Sequence, residues 1–265
     1  MRLISPLICK PELFFGLILV ILNLVFVCPA NAENNQNQPA VRLSNSSITQ
    51  IKLYDWLFIQ TQNDIKDLHT LEQQPASTWR KITRQDTQLI GTKYMWVRFS
   101  IYSPDDFQTR ILALDNPLLD SIVLHHKVNG SLVSSTQMGD SLAFKNRPLR
   151  SNTFLFPFAL KPNETHQFYL KISTNGSLNL PLVLWSPNDL TQVIENQNLN
   201  HGLQIGFLVD IGVFSLFIAL ASGSFSFSYY SGYVLSLALL MATLYGVSFR
   251  YLWPDWPQIQ NVIMP

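Results

Sequence analysis

The chain has 265 residues, of which 47% are hydrophobic and only 13% charged, and its net charge is +1. A soluble globular chain carries about 25% charged residues, so part of this one is built for an apolar solvent. With no net field and no stripe of Lys and Arg, nucleic acid is excluded as a partner.

The N-terminus accounts for part of the apolar excess. Arg2 and Lys10 give a positive n-region, and residues 13–27 are apolar apart from Gly16 and Asn23. Ala30-Asn31-Ala32 is a small-x-small cleavage site before the polar run 33–38. This is the secretory signal pattern over residues 1–32, with an uncleaved anchor as the alternative. The only cysteines, Cys9 and Cys28, lie inside it, so cleavage leaves no thiol and no Cys metal site.

Residues 33–45 are Asn/Gln-rich and read as a flexible leader. Residues 46–187 read as one β-rich domain. Residues 94–101 alternate, with Trp96 and Arg98 on one face and Val97, Phe99 and Ile101 on the other. Further strands are predicted at 111–114, 121–127, 153–160, 167–172 and 181–185. Asn129-Gly130 predicts a hairpin turn. Pro157 lacks an N–H, which puts its strand at an edge or a bulge. Short strands with a turn roughly every ten residues point to a β-sandwich or barrel.

Residues 188–201 are polar and predict a short helical connector. Residues 203–221 are apolar except for Gln204, Asp210 and Ser215, and residues 229–249 carry no charge. About 20 such residues cross a hydrocarbon core of roughly 30 Å, so transmembrane helices are expected over 202–222 and 229–249. Tyr229, Tyr230 and Tyr233 at one end, and Phe249, Tyr251, Trp253 and Trp256 at the other, form an expected interfacial belt. A buried helical hairpin is the alternative. If the signal exports residues 33–201, the chain crosses inward and returns, leaving 250–265 outside.

An ordered set of motifs runs through this region. Asp115-Asn116-Pro117-Leu118-Leu119-Asp120 precedes Gly139-Asp140 and Arg147-Pro148. Phe154, Tyr169-Leu170-Lys171-Ile172, Gly176-Ser177 and Pro181-Leu182-Val183-Leu184-Trp185-Ser186-Pro187 follow, then Tyr251-Leu252-Trp253-Pro254-Asp255-Trp256-Pro257. The set, over residues 46–265, resembles the bacterial seven-transmembrane receptors with diverse intracellular signalling modules (7TMR-DISM), with their more β-rich extracellular domain. The resemblance implies a mainly β protein: a jelly-roll-like sandwich related to carbohydrate-binding modules, then transmembrane helices. It also implies seven helices and a cytoplasmic output module. Two helices are expected here, so a truncated frame, a fragment or a degenerate copy is the expectation.

Catalytic patterns are lacking. There is no Gly-x-Ser-x-Gly elbow, phosphate loop or dinucleotide fingerprint. Asp105 and Asp106 are neighbours, as are His125 and His126, and neighbouring strand positions face opposite ways. His69, His166 and His201 form no ligand spacing. No enzyme, cofactor or metal is expected. For binding, Trp96, Arg98, Asp120, Asp140, Arg147 and Arg150 could combine an aromatic platform with polar groups. Caps, turns and a stabilising Arg–carboxylate pair are the structural alternatives. Trp185 reads as a core or membrane-proximal anchor. Asp210 costs about 2.5–3.5 kcal/mol near mid-membrane unless paired or neutralised, which makes it a candidate for membrane coupling to a partner helix, with a tolerated substitution in a truncated copy as the equal alternative.

The expected function is ligand sensing by a periplasmic domain of an inner-membrane receptor. The expected partners are a small molecule or glycan, the membrane, and further helices within the bilayer. The alternatives are a membrane-anchored periplasmic binding module without signalling, and an exported glycan-active enzyme. DNA sequencing downstream of codon 265 tests the truncation: an open frame running into further apolar spans is expected for the front of a receptor. A clean stop with no such coding sequence favours the anchored module or a decaying copy.

Overall fold

The computed structural model describes residues 40–43, 49–61, 65–83, 86, 94–104, 107–174 and 179–259. The expected signal peptide, most of the leader, Asp105-Asp106 and Gly176-Ser177 lie outside the described residues. In chain order the strands are β1 (Val41–Arg42), β2 (Gln50–Lys52), β3 (Phe58–Gln60), β4 (Arg80–Lys81) and β5 (Met95–Ser103). Then follow β6 (Gln108–Leu114), β7 (Ser121–Val128), β8 (Ser131–Met138), β9 (Phe154–Leu160), β10 (Glu164–Ser173) and β11 (Leu182–Trp185). The helices are α1 (Leu68–Glu72), α2 (Pro187–Ser222), α3 (Phe225–Leu244) and α4 (Val247–Tyr251).

The strands form a β-sandwich. The first sheet has the order β4-β3-β5-β10-β7-β8, with β1 added in parallel to β5, and the second has the order β2-β11-β6-β9. Period-2 alternation sorts the side chains. From the first sheet Val97, Phe99, Ile101, Phe168 and Leu170 point into the core, where Leu112, Leu114, Phe154, Phe156 and Leu184 of the second meet them. Burial of one such side chain contributes about 1.5–3 kcal/mol. Asn129 (φ 48°) and Gly130 (φ 84°) both take positive φ in the tight turn between β7 and β8, as the dipeptide predicts. Pro157 sits in β9, an edge strand of its sheet.

Two local features differ from expectation. Val41–Arg42 pairs with Ile101 and Tyr102 inside the stretch read as a flexible leader, and Val41 and Leu43 are buried in the core. Two apolar residues in a polar run suffice to dock that segment. His126 also gains a partner. Its Nε2 lies 2.9 Å from Nδ1 of His166, stacked against Phe168 in the sandwich interior, while His125 stacks on Trp96 across the sheet. Burial, with His166 beside it, pushes His126 down to about 4, so the pair is neutral at pH 7.

The helical part follows from sequence caps. Ser186 accepts the Asp189 N–H, and Pro187 takes the first turn, where its missing N–H costs nothing. The expected connector and first span are therefore one helix, α2, which ends at Gly223 in the left-handed region. α2 and α3 are both long and apolar enough to cross a membrane. They pack through small groups: a Cβ on Gly212 would clash with Leu235, and the buried Ser231 hydroxyl donates to the Gly212 carbonyl at 2.7 Å. The second helix runs over Phe225–Leu244 instead of 229–249, because Gly246 (φ 70°) turns the chain before α4.

Gly139 lies where β8 leaves the sheet, and a Cβ there would overlap the Asp120 backbone carbonyl. Gly139→Ala is expected to destabilise the full chain by about 3 kcal/mol or more. Gly202→Ala, on open helix surface, is expected to be neutral or to stabilise by up to about 1 kcal/mol. Thermal unfolding of both variants in one detergent checks the contrast.

Candidate ligand site at the sandwich–helix junction

The six residues read as a binding set do not form one site. Trp96 and Arg98 lie on the outer face of the first sheet, but that face is covered. Trp96 is fully buried against Ile65, Leu71, Trp79 and Tyr169, and its Nε1 donates to the Ile65 carbonyl at 2.9 Å. The Arg98 guanidinium lies 4.4 Å from the Trp79 ring centre, and burial lowers its pKa. Trp96 therefore offers no exposed platform. The strand pattern gives its face correctly, yet nothing in that pattern reports the segment from Ile65 to Trp79 lying across it. Arg150 is exposed, and Asp210 is exposed on α2 rather than packed on α3.

Asp120, Asp140 and Arg147 do come together. The Asp140 N–H donates to the Leu119 carbonyl and the Ser141 N–H to the Asp120 carbonyl, which holds residues 139–141 beside the start of β7. Asp140 is 4% exposed and Arg147 6%. Burial, with the Asp120 charge beside it, pushes the Asp140 carboxyl up to about 6, while Arg147 pulls it down. Burial lowers Arg147 to about 10, against the pull of Asp140, so the guanidinium stays charged at pH 7. The hydrogen bonds of Arg147 go elsewhere than expected: one amino group donates to the Ser151 and Asn152 carbonyls at 2.9 and 2.8 Å.

Arg147 also sits in a cage of rings. Phe144, Phe154 and Phe249 lie 4.8, 4.4 and 5.5 Å from its guanidinium carbon. Phe249 belongs to α4, beyond both long helices, and is 2% exposed. It is thus a packing residue, not part of an interfacial belt. The Phe144 N–H donates to the Pro254 carbonyl at 2.9 Å, and Gly246 packs closely on Pro117 and Asn152. The start of α2 makes a second attachment, with Leu190 and Ile194 packed on Ala113, Leu155 and Trp185 outside the second sheet.

Between the two attachments lies a cavity of about 230 Å3. The sandwich contributes Asp115, Ser151, Asn152 and Thr153 to its wall, and the helices contribute Gln197, Asn198, His201 and Tyr245. The His201 and Tyr245 rings stack with centres 3.8 Å apart and planes 5° apart, and the Tyr245 hydroxyl donates to Gln204 at 2.9 Å. Asn116 fixes the Asp115 loop by donating to the Asn179 carbonyl and accepting the Leu118 N–H. The surrounding walls push the Asp115 carboxyl above its ordinary value, with His201 pulling the other way. No sequence spacing joins residues 115, 152, 201 and 245; only folding brings them together.

Two family models match the chain. The model for 7TMR-DISM extracellular 2 matches residues 57–186, and the model for 7TM diverse intracellular signalling matches residues 197–265. The chain belongs to the 7TMR-DISM receptors. The resemblance read from the motifs is borne out, and the sandwich of this 7TMR-DISM chain carries the match to the extracellular domain. No curated protein matches the chain. Among solved structures, a family 35 carbohydrate-binding module from an environmental isolate is 13% identical at a TM-score of 0.27, covering 53% of this chain and 94% of that one. The family 35 module of Clostridium thermocellum is 14% identical at 0.23, covering 35% and 71%. A mutant of Bacteroides uniformis β-glucuronidase 2 is 13% identical at 0.33, covering 51% of this chain. This chain spans only 17% of that enzyme, and 23% of a Bacteroides fragilis protein described as a β-galactosidase. Likenesses this distant carry no argument about function.

Asp140 yields a pH signature. Its folded pKa of about 6 stands above the ordinary 3.8, so the native state binds this proton more tightly. Its contribution is most favourable below the lower value and is lost as pH rises through the higher one. Asp140→Asn is therefore expected to gain stability relative to wild type between pH about 4 and about 6, with no further gain above. Melting temperatures of both proteins across that range check the sign.

Proposed function

We propose that this chain is the sensing and membrane-inserted portion of a bacterial signal-transduction receptor, with the sandwich in the periplasm and α2 and α3 in the inner membrane. One observation carries the reading: the sandwich grips the hairpin at both of its ends. It holds α2 covalently and through Leu190 and Ile194. It holds the exit from α3 through Phe249, Gly246 and Pro254, all around Arg147 and its neighbours. A change of shape in the sandwich then acts on two helices at once. In this reading residues 247–254 lie on the sandwich side of the membrane, which the docking of Phe249 and Pro254 on the sandwich supports.

In this reading Asp120, Asp140 and Arg147 form the responsive cluster, and Trp96 and Arg98 hold the outer face of the sheet. A ligand shifts the receptor only if it binds two states with different affinity. The segment 147–152 can register such a difference, because Arg147 and Asn152 touch both the cavity wall and α4.

Phe249→Ala is expected to cost about 3–5 kcal/mol locally and to uncouple the helices. Hydrogen–deuterium exchange on the full chain in nanodiscs should show faster exchange at residues 144–154 and 247–256, with the β5, β7 and β10 amides unchanged. A glycan that protects the sandwich should alter exchange in α2 and α3 of the wild type and not of the variant. Protection of the sandwich without any change in the wild-type helices would overturn the receptor reading in favour of an anchored binding module.

A further inference from the structure

We infer that the cavity between the sandwich and the helix ends is a binding site for an uncharged, hydroxyl-rich molecule of monosaccharide size. The inference rests on the receptor reading only for its consequence, which is that an occupant would touch both halves of the coupling device directly.

Size sets the first limit. Pockets for drug-sized ligands measure about 300–1,000 Å3, whereas this space is about 230 Å3. With about 30 Å3 per water in the liquid, it suits a compact ring and not an oligosaccharide. Charge sets the second. Among the described residues no Lys or Arg lines the cavity, and Asp115 is its one carboxylate, so an anion would meet repulsion without a counter-ion from them. The same walls that raise the Asp115 carboxyl disfavour charge of either sign at that spot. Hydrogen-bonding chemistry sets the third. Gln197 and Asn198 are amides, each able to donate and accept at once, and they are exposed on α2 across the cavity from Ser151 and Thr153, whose hydroxyls are hydrogen-bonded to each other at 3.3 Å. Groups that both donate and accept suit vicinal hydroxyls.

The position adds a mechanism. Gln197 and Asn198 lie on α2, and Tyr245 lies at the exit from α3. Asn152, on the opposite wall, accepts from Arg147 through its carbonyl and from Arg250 at 3.5 Å through its side chain. A molecule bridging Asn152 to α2 would bias the spacing between the two attachments. The site lies where the apolar part of the helices begins, so the hydroxyl-rich group can arrive as a free sugar or as the headgroup of a neutral glycolipid.

The test uses the full chain in nanodiscs. In one arm the lipid is phosphatidylcholine and the probes are D-glucose, D-galactose and D-xylose, read by saturation-transfer NMR and calorimetry. In the other arm the nanodisc contains a monogalactosyl diacylglycerol, read by native mass spectrometry. Binding in one arm is expected and identifies the source. Asn198→Trp, which fills the cavity from an exposed helix position, should weaken it by about tenfold or more. Gln197→Ala should weaken it by about threefold, with β-core exchange unchanged in both variants. Failure of every neutral sugar, free or lipid-linked, to bind overturns the inference. So does binding of ethanolamine in their place, or sugar binding that is indifferent to Asn198→Trp; that last result leaves the receptor reading standing. Sugar binding lost in Asn198→Trp, but without effect on α2 and α3 exchange in the wild type, keeps this site and removes the receptor reading.

Discussion

A buried guanidinium holds this structure together at its most exacting point. Taking an arginine out of water costs several kcal/mol unless its charge and donors are compensated. Here the compensation comes from three directions: the Ser151 and Asn152 carbonyls, the field of Asp140, and the faces of three phenylalanines. One of those rings, Phe249, lies about a hundred residues away in sequence and on the far side of two membrane-length helices. The ring cage around Arg147 is therefore complete only when α4 is docked on the sandwich.

That dependence explains the neighbouring oddities. Gly139 has no room for a side chain because residues 139–141 lie flat against the entrance to β7. Asp140 is thereby buried close enough to act on Arg147, although its carboxyl is driven up by the same burial. Gly246 takes a left-handed turn so that α4 can fall back onto Pro117 and Asn152. Each feature costs something locally, and each serves the contact between sandwich and hairpin.

The hairpin itself is held by short-range packing. Apolar side chains on its outer surface gain nothing from one another in lipid, so association relies on close backbone approach and hydrogen bonds. Gly212 and Ser231 supply both. These contacts fix how closely the two helices approach each other at that level of the pair.

The sequence by itself determined the solvent of each segment and the face of each strand. Hydropathy separates the β-rich stretch from the apolar spans, because length and polarity are local properties. Alternation sets Val97 and Phe99 against Trp96 and Arg98, splits His125 from His126, and turns the chain at Asn129-Gly130, because a pleated strand has period 2 and a tight hairpin needs positive φ. Only the tertiary structure decided which faces are covered and which distant residues meet. Trp96 is hidden by the segment from Ile65 to Trp79, His126 finds His166 on another strand, and Asp115, Asn152, His201 and Tyr245 converge around one cavity. Those outcomes depend on how sheets and helices stack, and stacking is set by the total apolar surface buried across the fold, which no local spacing encodes.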